Sequence, residues 1–289
     1  MGTFRMRKLT LIAAAVSLAV LWTSAASAEL TLWVKYHYAA EEAYNRGEFS
    51  RAEQLFKAAE REAAITLPPE NFRLASTLDG LGLVYAAQGR LDEANAVLER
   101  ALEMKEKVLG PHTREVPETV LNIADLRFAQ GQYDKVERLY RHALLILVRD
   151  QTDIGVTRAL NGLARYYRLQ GDAVRAESLL ERARKIHIEA RRRNHPAMAD
   201  TLVELARLYA FEGRDAESIP LYDKACAIRA GNLGMHHPET AACYEEFAQA
   251  LHRLNRLAEA EELQERSKDI RARHTELEEQ YASEQAPLL

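Results

Sequence analysis

Apolar residues recur along this chain with helical spacing, in two runs that flank a short polar turn. The stretch from Leu81 to Ala101 shows the unit, with Tyr85 before the turn residue Gly89 and Leu98 after it. Apolar positions three or four residues apart predict an amphipathic helix on each side of the turn. Glycine suits the turn because it adopts left-handed backbone angles without steric cost. The pattern therefore predicts a helical hairpin.

This helical hairpin returns at a nearly constant interval. The turn residues are Gly47, Gly89, Gly131, Gly171, Gly213 and Asn255. They lie 42, 42, 40, 42 and 42 residues apart. A regular period of this length is typical of solenoids, in which each unit packs only against its neighbours. We predict an all-α fold, an α-solenoid of about six helical hairpins.

The repeat also predicts how the helices pack. The residues twelve positions after each turn are small, and they are Ala59, Ala101, Ala143, Ala183, Ala225 and Ser267. The residues nine positions after each turn are large until the last unit, and they are Phe56, Leu98, Tyr140, Leu180, Tyr222 and Gln264. Small side chains let two helices approach closely, and large ones fill the space beside them.

These positions resemble the tetratricopeptide repeat. The residues that carry the resemblance are Leu78, Leu81, Gly82, Tyr85, Ala94 and Leu98, with Leu78 where that repeat has Trp. The 42-residue period resembles the variety found in kinesin light chains, and the resemblance extends over residues 33–273. It implies a right-handed superhelix whose first helices line a concave face. It also implies that the protein binds a peptide or another protein.

Residues 1–28 have the three-part pattern of a cleaved secretory signal peptide. Basic residues precede an apolar run from Leu9 to Trp22, and Ala26-Ser27-Ala28 supplies the small residues that signal peptidase reads. An uncleaved membrane anchor is the alternative, but the run of 14 residues is shorter than the roughly 20 that span a bilayer. We expect cleavage after Ala28, a periplasmic or secreted protein, and no membrane span after cleavage.

The charge of the mature chain argues against a nucleic-acid partner. Three of the 39 Lys and Arg residues lie in the signal, so 36 remain against 43 Asp and Glu, a net charge of −7. A nucleic-acid-binding surface needs an excess of basic residues.

The mature chain is predicted to consist of two parts. The solenoid occupies residues 29–274, and residues 275–289 form a capping helix that ends in a loose tail.

Only two cysteines are present, Cys226 and Cys243. The midpoint between them falls in the loop that joins repeats five and six, so they should lie at similar heights on neighbouring antiparallel helices. An oxidising compartment would permit a disulfide between them. Two buried thiols that behave as small apolar residues are the alternative.

The sequence offers no reacting group for an enzyme. It contains no phosphate-binding loop, no nucleophile elbow and no convincing metal-ligand spacing. His236 and His237 could bind a metal, but His237 precedes Pro238 as His195 precedes Pro196, which favours loop residues of the repeat. We therefore expect no enzymatic activity, no cofactor and no metal, and a hydrolase or metal enzyme is only a remote alternative.

The predicted binding surface is the concave groove. Positions there that face away from the second helices are Asn122, Asp125, Arg158, Asn161, Arg165, Arg168, Glu204 and Arg207. Arginine offers forked donors to carboxylates and peptide carbonyls, and asparagine can pair with an extended backbone. A solvated helix face is the simpler interpretation of any single residue. Our hypothesis is an exported scaffold or adaptor that binds a peptide segment or a protein partner in this groove.

Self-assembly is the second hypothesis. Leu145 and Leu147 stand where most other repeats carry charged or polar residues, so they could form an exposed apolar patch that makes a homo-oligomer. The open ends of the solenoid could do the same. Local packing against the next repeat is the alternative reason for these two leucines.

Overall fold

The computed structural model of the protein describes residues 32–68, 70–147 and 154–285, and the predicted signal peptide lies outside them. These residues form helices without any strand, so the predicted all-α solenoid of helical hairpins is confirmed. The helices are α1 (32–45), α2 (Phe49–Thr66), α3 (Phe72–Ala87), α4 (Leu91–Leu109), α5 (Val116–Ala129), α6 (Tyr133–Leu147), α7 (Ile154–Leu169), α8 (Ala173–Glu189), α9 (Pro196–Phe211), α10 (Asp215–Leu233), α11 (Pro238–Arg253) and α12 (Leu257–Gln285).

Each hairpin turns at a residue with left-handed backbone angles. The φ values are 77° at Gly47, 76° at Gly89, 72° at Gly131, 78° at Gly171, 74° at Gly213 and 58° at Asn255. Asparagine tolerates this conformation better than other residues with a side chain, which explains the one exception among the turns. Each odd-numbered helix is therefore followed at once by its antiparallel partner.

Two histidines begin helices. The side chains of His195 and His237 accept hydrogen bonds from the backbone nitrogens of Ala197 and Glu239, at 3.2 and 3.1 Å. The proline that follows each histidine occupies the first turn, where its missing N–H costs nothing. The structure thus gives the His-Pro pairs a role in starting α9 and α11.

The core consists of large side chains packed against small ones. The alanines twelve residues after the turns have no exposed surface, and the exposed fractions of Phe56 and Tyr140 are 2% and 0%. A Cβ atom on Gly80 would lie 2.2 Å from the Phe56 ring, and one on Gly162 would lie 2.2 Å from the Tyr140 ring. Both contacts join the second helix of one hairpin to the first helix of the next. The absence of a side chain on the glycine makes room for the aromatic ring.

The two ends of the solenoid meet. Helix α12 contacts α2, so the last hairpin lies against the first. The carboxylate of Glu278 accepts hydrogen bonds from the hydroxyl and the backbone nitrogen of Ser50, the latter at 3.1 Å. The rings of Phe49 and His274 stack edge to face with centroids 5.6 Å apart. We call this contact between α2 and the α11–α12 hairpin the seam.

The N-terminus of α2 explains why Glu278 is held at the seam. The first backbone N–H groups of a helix have no partner within it, and they attract negative charge. No side chain caps α2 from its own N-cap position, so the carboxylate from α12 fills that role. The hairpin turn between α1 and α2 also lies close to α11, because a Cβ on Gly47 would lie 2.7 Å from the ring of Pro238.

The C-terminal region differs from the predicted arrangement. A separate capping helix was expected after residue 274, but α12 continues without a break from Leu257 to Gln285. No glycine or proline interrupts this stretch, so nothing ends the helix at the predicted boundary. The predicted loose tail from residue 286 onward lies outside the described residues.

The predicted apolar patch at Leu145 and Leu147 does not form. Leu147 is buried and packs with Val156, Leu160 and Ala183, whereas Leu145 is 70% exposed. The helical period separates the two residues, because Leu147 lies one turn beyond the buried Ala143 and Leu145 points elsewhere. The patch interpretation is therefore wrong for Leu147, and self-association remains an untested prediction.

The two cysteines form a bridge between neighbouring hairpins. Cys226 of α10 and Cys243 of α11 are joined as a disulfide, with Cα atoms 5.6 Å apart and both side chains buried. The link ties repeat five to repeat six. Within the described ranges, no helix combines the length and the apolar character needed to cross a membrane.

A first prediction concerns the space beside Tyr140. Gly162→Ala should lower the free energy of unfolding by about 1–3 kcal/mol, because the added methyl collides with a ring that has no room to move. Gly231→Ala is the matched control, since it lies in α10 with nothing within 4 Å of the added Cβ. That change should stabilise the protein by about 0.5–1 kcal/mol through helix propensity. Urea denaturation measures both, and equal effects would contradict the packing described here.

A second prediction concerns His237 at the seam. Burial, then His274 and Arg229, lower the pKa of His237 to about 4 from an ordinary value of 6.5. The unfolded chain binds this proton at a higher pH than the folded chain. The contribution of the neutral His237 to the free energy of unfolding is therefore fully present above pH 6.5 and is lost as the pH falls towards 4. A neutral ring is also needed to cap α11.

The measurement is the free energy of unfolding between pH 7 and pH 4. His237→Asn keeps a capping acceptor but has no titrating group. Between pH 7 and pH 4 its free energy of unfolding should therefore fall less than that of the wild type, and the two losses should differ by on the order of 1–2 kcal/mol. His112→Asn, in an exposed loop, serves as the control and should follow the wild-type curve. A curve for His237→Asn that matches the wild type would show that His237 does not cause the acid sensitivity.

Candidate functional site on the concave face

The first helices of successive hairpins line the inner surface of the solenoid. Helix α3 contacts α5, α5 contacts α7, and α7 contacts α9, so their side chains form one continuous face. Burial and the charge of Glu239 raise the pKa of Tyr44 on α1 to about 12, while the charge of Arg158 opposes them.

A cavity of about 260 Å³ opens on this face between α5, α7 and α9. Of the eight predicted groove residues, it is lined by Asp125, Arg158, Asn161, Arg165, Glu204 and Arg207. Asn122 lies beside it and accepts a hydrogen bond from Arg158 at 2.7 Å. Arg168, one turn further along α7, does not line it. We call this space the arginine cavity.

Asp125 holds one end of the arginine cavity together. Its Oδ2 atom accepts from Nε and Nη2 of Arg158 at 3.0 and 2.7 Å, and its Oδ1 atom accepts from Arg165 at 2.7 Å and from the hydroxyl of Tyr140. Burial opposes ionisation of this carboxyl, but the charges of Arg158 and Arg165 outweigh it and lower the pKa of Asp125. The guanidinium of Arg165 also lies 4.0 Å from the centre of the Phe128 ring. Both arginines are thus fixed in position before any ligand arrives.

Arg207 is held in a second ion-pair group. It donates to Glu204 at 2.6 Å and through two nitrogens to Glu246 at 2.6 and 2.5 Å. Charge-assisted pairs with two parallel hydrogen bonds fix the plane of the guanidinium. The orientation of Arg207 is therefore set by carboxylates on α9 and α11.

Several buried polar atoms around the cavity have no hydrogen-bond partner within the described part of the chain. They are Nδ2 of Asn122 beside the cavity and, on residues that line it, Nε of Arg165, Nε of Arg229 and Oε2 of Glu204. Buried polar atoms in proteins nearly always have a partner, from the protein, from water or from a ligand. The surroundings of the arginine cavity therefore offer three donors and one acceptor to whatever occupies it.

Asn161 lines the cavity and also pairs with a neighbouring helix. Its side chain exchanges two hydrogen bonds with Thr201, at 3.0 and 3.1 Å, and both residues are buried. The amide joins α7 to α9 and keeps one N–H donor and one acceptor lone pair, so its predicted role in peptide binding stays a prediction. Sequence reasoning placed Asn161 on the correct face but missed Thr201, its partner 40 residues later.

Two charged residues that line the cavity, Asp200 and Arg229, were not among the predicted groove residues. Arg229 belongs to a second helix, α10, and reaches Asp200 on α9 at 3.0 Å and the carbonyl of Glu239 at 3.3 Å. Residues on second helices were expected to lie outside the groove. The only feature of the sequence that could have indicated Arg229 is the length of its side chain, which lets it reach the cavity from α10. Among the described residues, no group of three or more His, Cys, Asp or Glu side chains is placed to hold a metal ion.

Comparison with known solved structures supports the fold. A Podosopora anserina protein described as a kinesin light chain with nearly identical TPR-like repeats is 25% identical, with a TM-score of 0.52 over 68% of this chain and 94% of that one. A Rap protein complexed with competence and sporulation factor is 17% identical, with a TM-score of 0.62 over 86% of this chain and 77% of that one. The Rap conjugation gene regulator of plasmid pLS20, in complex with the Phr* peptide, is 13% identical, with a TM-score of 0.62 over 85% and 75%.

Family comparison gives the same result from the sequence. No curated protein sequence matches the chain. The tetratricopeptide repeat model matches residues 73–147, 115–189, 155–231 and 198–273, which together cover well over half of the chain. This protein belongs to the tetratricopeptide repeat family.

Proposed function

We propose that this protein is an exported, non-enzymatic scaffold that binds a peptide segment of a partner in the arginine cavity. The observation that carries the proposal is a concave cavity in which Arg158, Arg165 and Arg207 are oriented by surrounding carboxylates. Tetratricopeptide repeat proteins are interaction scaffolds, and the two Rap structures with this fold are complexes with competence and sporulation factor and with the Phr* peptide.

The ligand should carry carboxylates or peptide carbonyls. Arg165 keeps an unpartnered buried Nε, and Asn122 keeps an unpartnered buried Nδ2, so unused donors lie around the cavity. Guanidinium groups recognise carboxylates through forked hydrogen bonds, and prior orientation reduces the entropy lost on binding. An extended peptide with an acidic side chain or a free C-terminus meets these requirements.

The variants that test this proposal must respect the ion pairs. Reversing the charge of Arg165 alone would leave Asp125 buried among poorly matched groups, and breaking a buried pair can cost about 3–5 kcal/mol. The double variant Asp125→Asn, Arg165→Gln keeps the net charge and amide hydrogen bonding while it removes the charged donor. Glu137→Gln, Arg141→Gln is the matched control, because it neutralises an ion pair of 2.7 Å whose arginine side chain is 63% exposed.

The measurement is selection of a displayed random peptide library on the mature protein, followed by calorimetry with the selected peptides. We expect acidic peptides to be enriched and the Asp125→Asn, Arg165→Gln variant to bind them at least about tenfold more weakly, which corresponds to about 1.4 kcal/mol. The control pair should retain wild-type affinity. Failure to enrich any peptide, or equal affinity for both double variants, would remove the arginine cavity from the proposal.

Export is the second part of the proposal. It is supported by the signal pattern of residues 1–28, and the Cys226–Cys243 disulfide suits an oxidising compartment. Expression of the full chain in a bacterium, followed by mass spectrometry of the envelope fraction, should yield a protein that begins at Glu29. Ala26→Leu, Ala28→Leu should leave the precursor uncut, because signal peptidase requires small residues at those positions. Recovery of an intact chain from the cytoplasm would contradict export.

A further inference from the structure

A second cavity lies on the concave face in the first half of the chain. Its volume is about 470 Å³, larger than that of the arginine cavity. The residues that line it are His37, Glu41, Tyr44, Asn45, Phe56, Ser76, Asp79, Gly80, Leu83, Lys105 and Glu118. None of them lines the arginine cavity. We call this space the acidic cavity.

The acidic cavity contains three carboxylates from three successive first helices. Glu41 comes from α1, Asp79 from α3 and Glu118 from α5. Lys105 is the single ammonium that lines the cavity, so three carboxyl groups face one cation there. Burial raises the pKa of Asp79, against the effect of Lys105. Burial lowers the pKa of His37, which favours a neutral ring and adds no further positive charge.

The carboxylate of Asp79 is only half satisfied. Its Oδ2 atom accepts from the ammonium of Lys105 and from the hydroxyl of Thr119 at 2.9 Å. Its Oδ1 atom is buried and has no hydrogen-bond partner within the described residues, and the side chain is only 9% exposed. Because an unpartnered carboxylate oxygen in a protein interior is costly, this atom points to a donor that is supplied from outside the chain.

Glu41 faces a second carboxylate. Burial and the charge of Glu118 raise the pKa of Glu41, which means that the two carboxylates repel each other. Glu118 also lies within electrostatic range of Arg158, and Nε2 of His37 lies 3.3 Å from Glu41. A cation between these carboxylates would replace repulsion with attraction.

The walls of the cavity suit an organic cation. Tyr44 and Phe56 contribute aromatic rings, and ring faces attract ammonium and guanidinium groups. The Phe56 ring packs against Gly80 and is only 2% exposed, so Tyr44 is the aromatic ring that a ligand could reach. An organic cation with a charged head and an apolar stem would place its head at the carboxylates and its stem against the aromatic wall.

We propose that the acidic cavity binds an alkylammonium or guanidinium group, either on a lysine or arginine side chain of a protein segment or on a free polyamine. The head of the ligand donates to Oδ1 of Asp79 and neutralises Glu41 and Glu118, and its methylene stem packs against Tyr44. This site does not depend on the arginine cavity, and either one can fail in experiment without the other.

The test uses the mature protein with defined probes at about 150 mM salt, where nonspecific attraction is screened. Spermidine represents the free amine, and the peptide acetyl-Ala-Lys-Ala-amide represents the side chain. Acetyl-Ala-norleucine-Ala-amide is the matched ligand, because it has the same stem without the charge. Binding is followed by NMR through the backbone amide of Gly80 and the side chains around it.

The matched protein variants remove equal charge from two places. Glu41→Gln, Glu118→Gln changes exposed residues of the cavity rim and should weaken binding at least tenfold. Glu103→Gln, Glu261→Gln removes two exposed carboxylates that do not line the acidic cavity and should leave affinity unchanged. Circular dichroism confirms that both variants fold.

The outcomes separate the sources of the ligand. Saturable binding of the lysine peptide but not the norleucine peptide, lost in the Glu41, Glu118 variant, supports a protein side chain. The same pattern with spermidine alone supports a free polyamine. Absence of saturable binding by both cationic probes, equal binding of the two peptides, or unchanged affinity in the cavity variant would overturn the proposal.

Discussion

Close contact between a bulky side chain on one helix and a minimal side chain on the next is the constraint on which the array depends. Tyr140 and Phe56 occupy space that exists only because Gly162 and Gly80 carry no Cβ. If the large side chain on one helix did not face a glycine on the next, neighbouring hairpins could not approach to van der Waals distance. The curvature that brings the first helices onto one inner face follows from this packing.

The same contact alternates along the chain. Aromatic residues nine positions after the turn occur in repeats one, three and five, and leucine occurs in repeats two and four. The position opposite the first two aromatic residues is glycine, whereas the equivalent positions after the leucine repeats carry Asn122 and Glu204. The last repeat departs from this alternation, because the polar Glu246 follows the aromatic Tyr222.

Helix order, turn positions and fold class could be predicted from the sequence because they depend on local periodicity. The positive φ at Gly47 and Asn255 follows from residue type and spacing alone. The contents of the site could be predicted only in part. The face of Arg165 was evident from its distance to the turn, but its pairing with Asp125 spans 40 residues and depends on how successive hairpins rotate. Partners such as Thr201, and the acidic cavity as a whole, result from that rotation.

The inner surface is electrostatically divided. Glu41, Asp79 and Glu118 lie in the first half of the chain, and Arg158, Arg165 and Arg207 lie in the second half. Each half keeps part of its charge engaged internally, which limits the repulsion among like groups and leaves a few atoms unpartnered. The lining of the arginine cavity has four guanidinium groups and three carboxyl groups, whereas that of the acidic cavity has one ammonium and three carboxyl groups.

The seam has a consequence for the number of repeats. A solenoid with free ends can gain or lose a unit at little cost, because each unit touches only its neighbours. Here Glu278 of the last helix caps the second helix, so the accumulated rotation of all the hairpins must return the chain to its start. Insertion or deletion of one hairpin would leave either a gap or a collision at that meeting point. The contact between the two ends therefore fixes the number of hairpins in this protein.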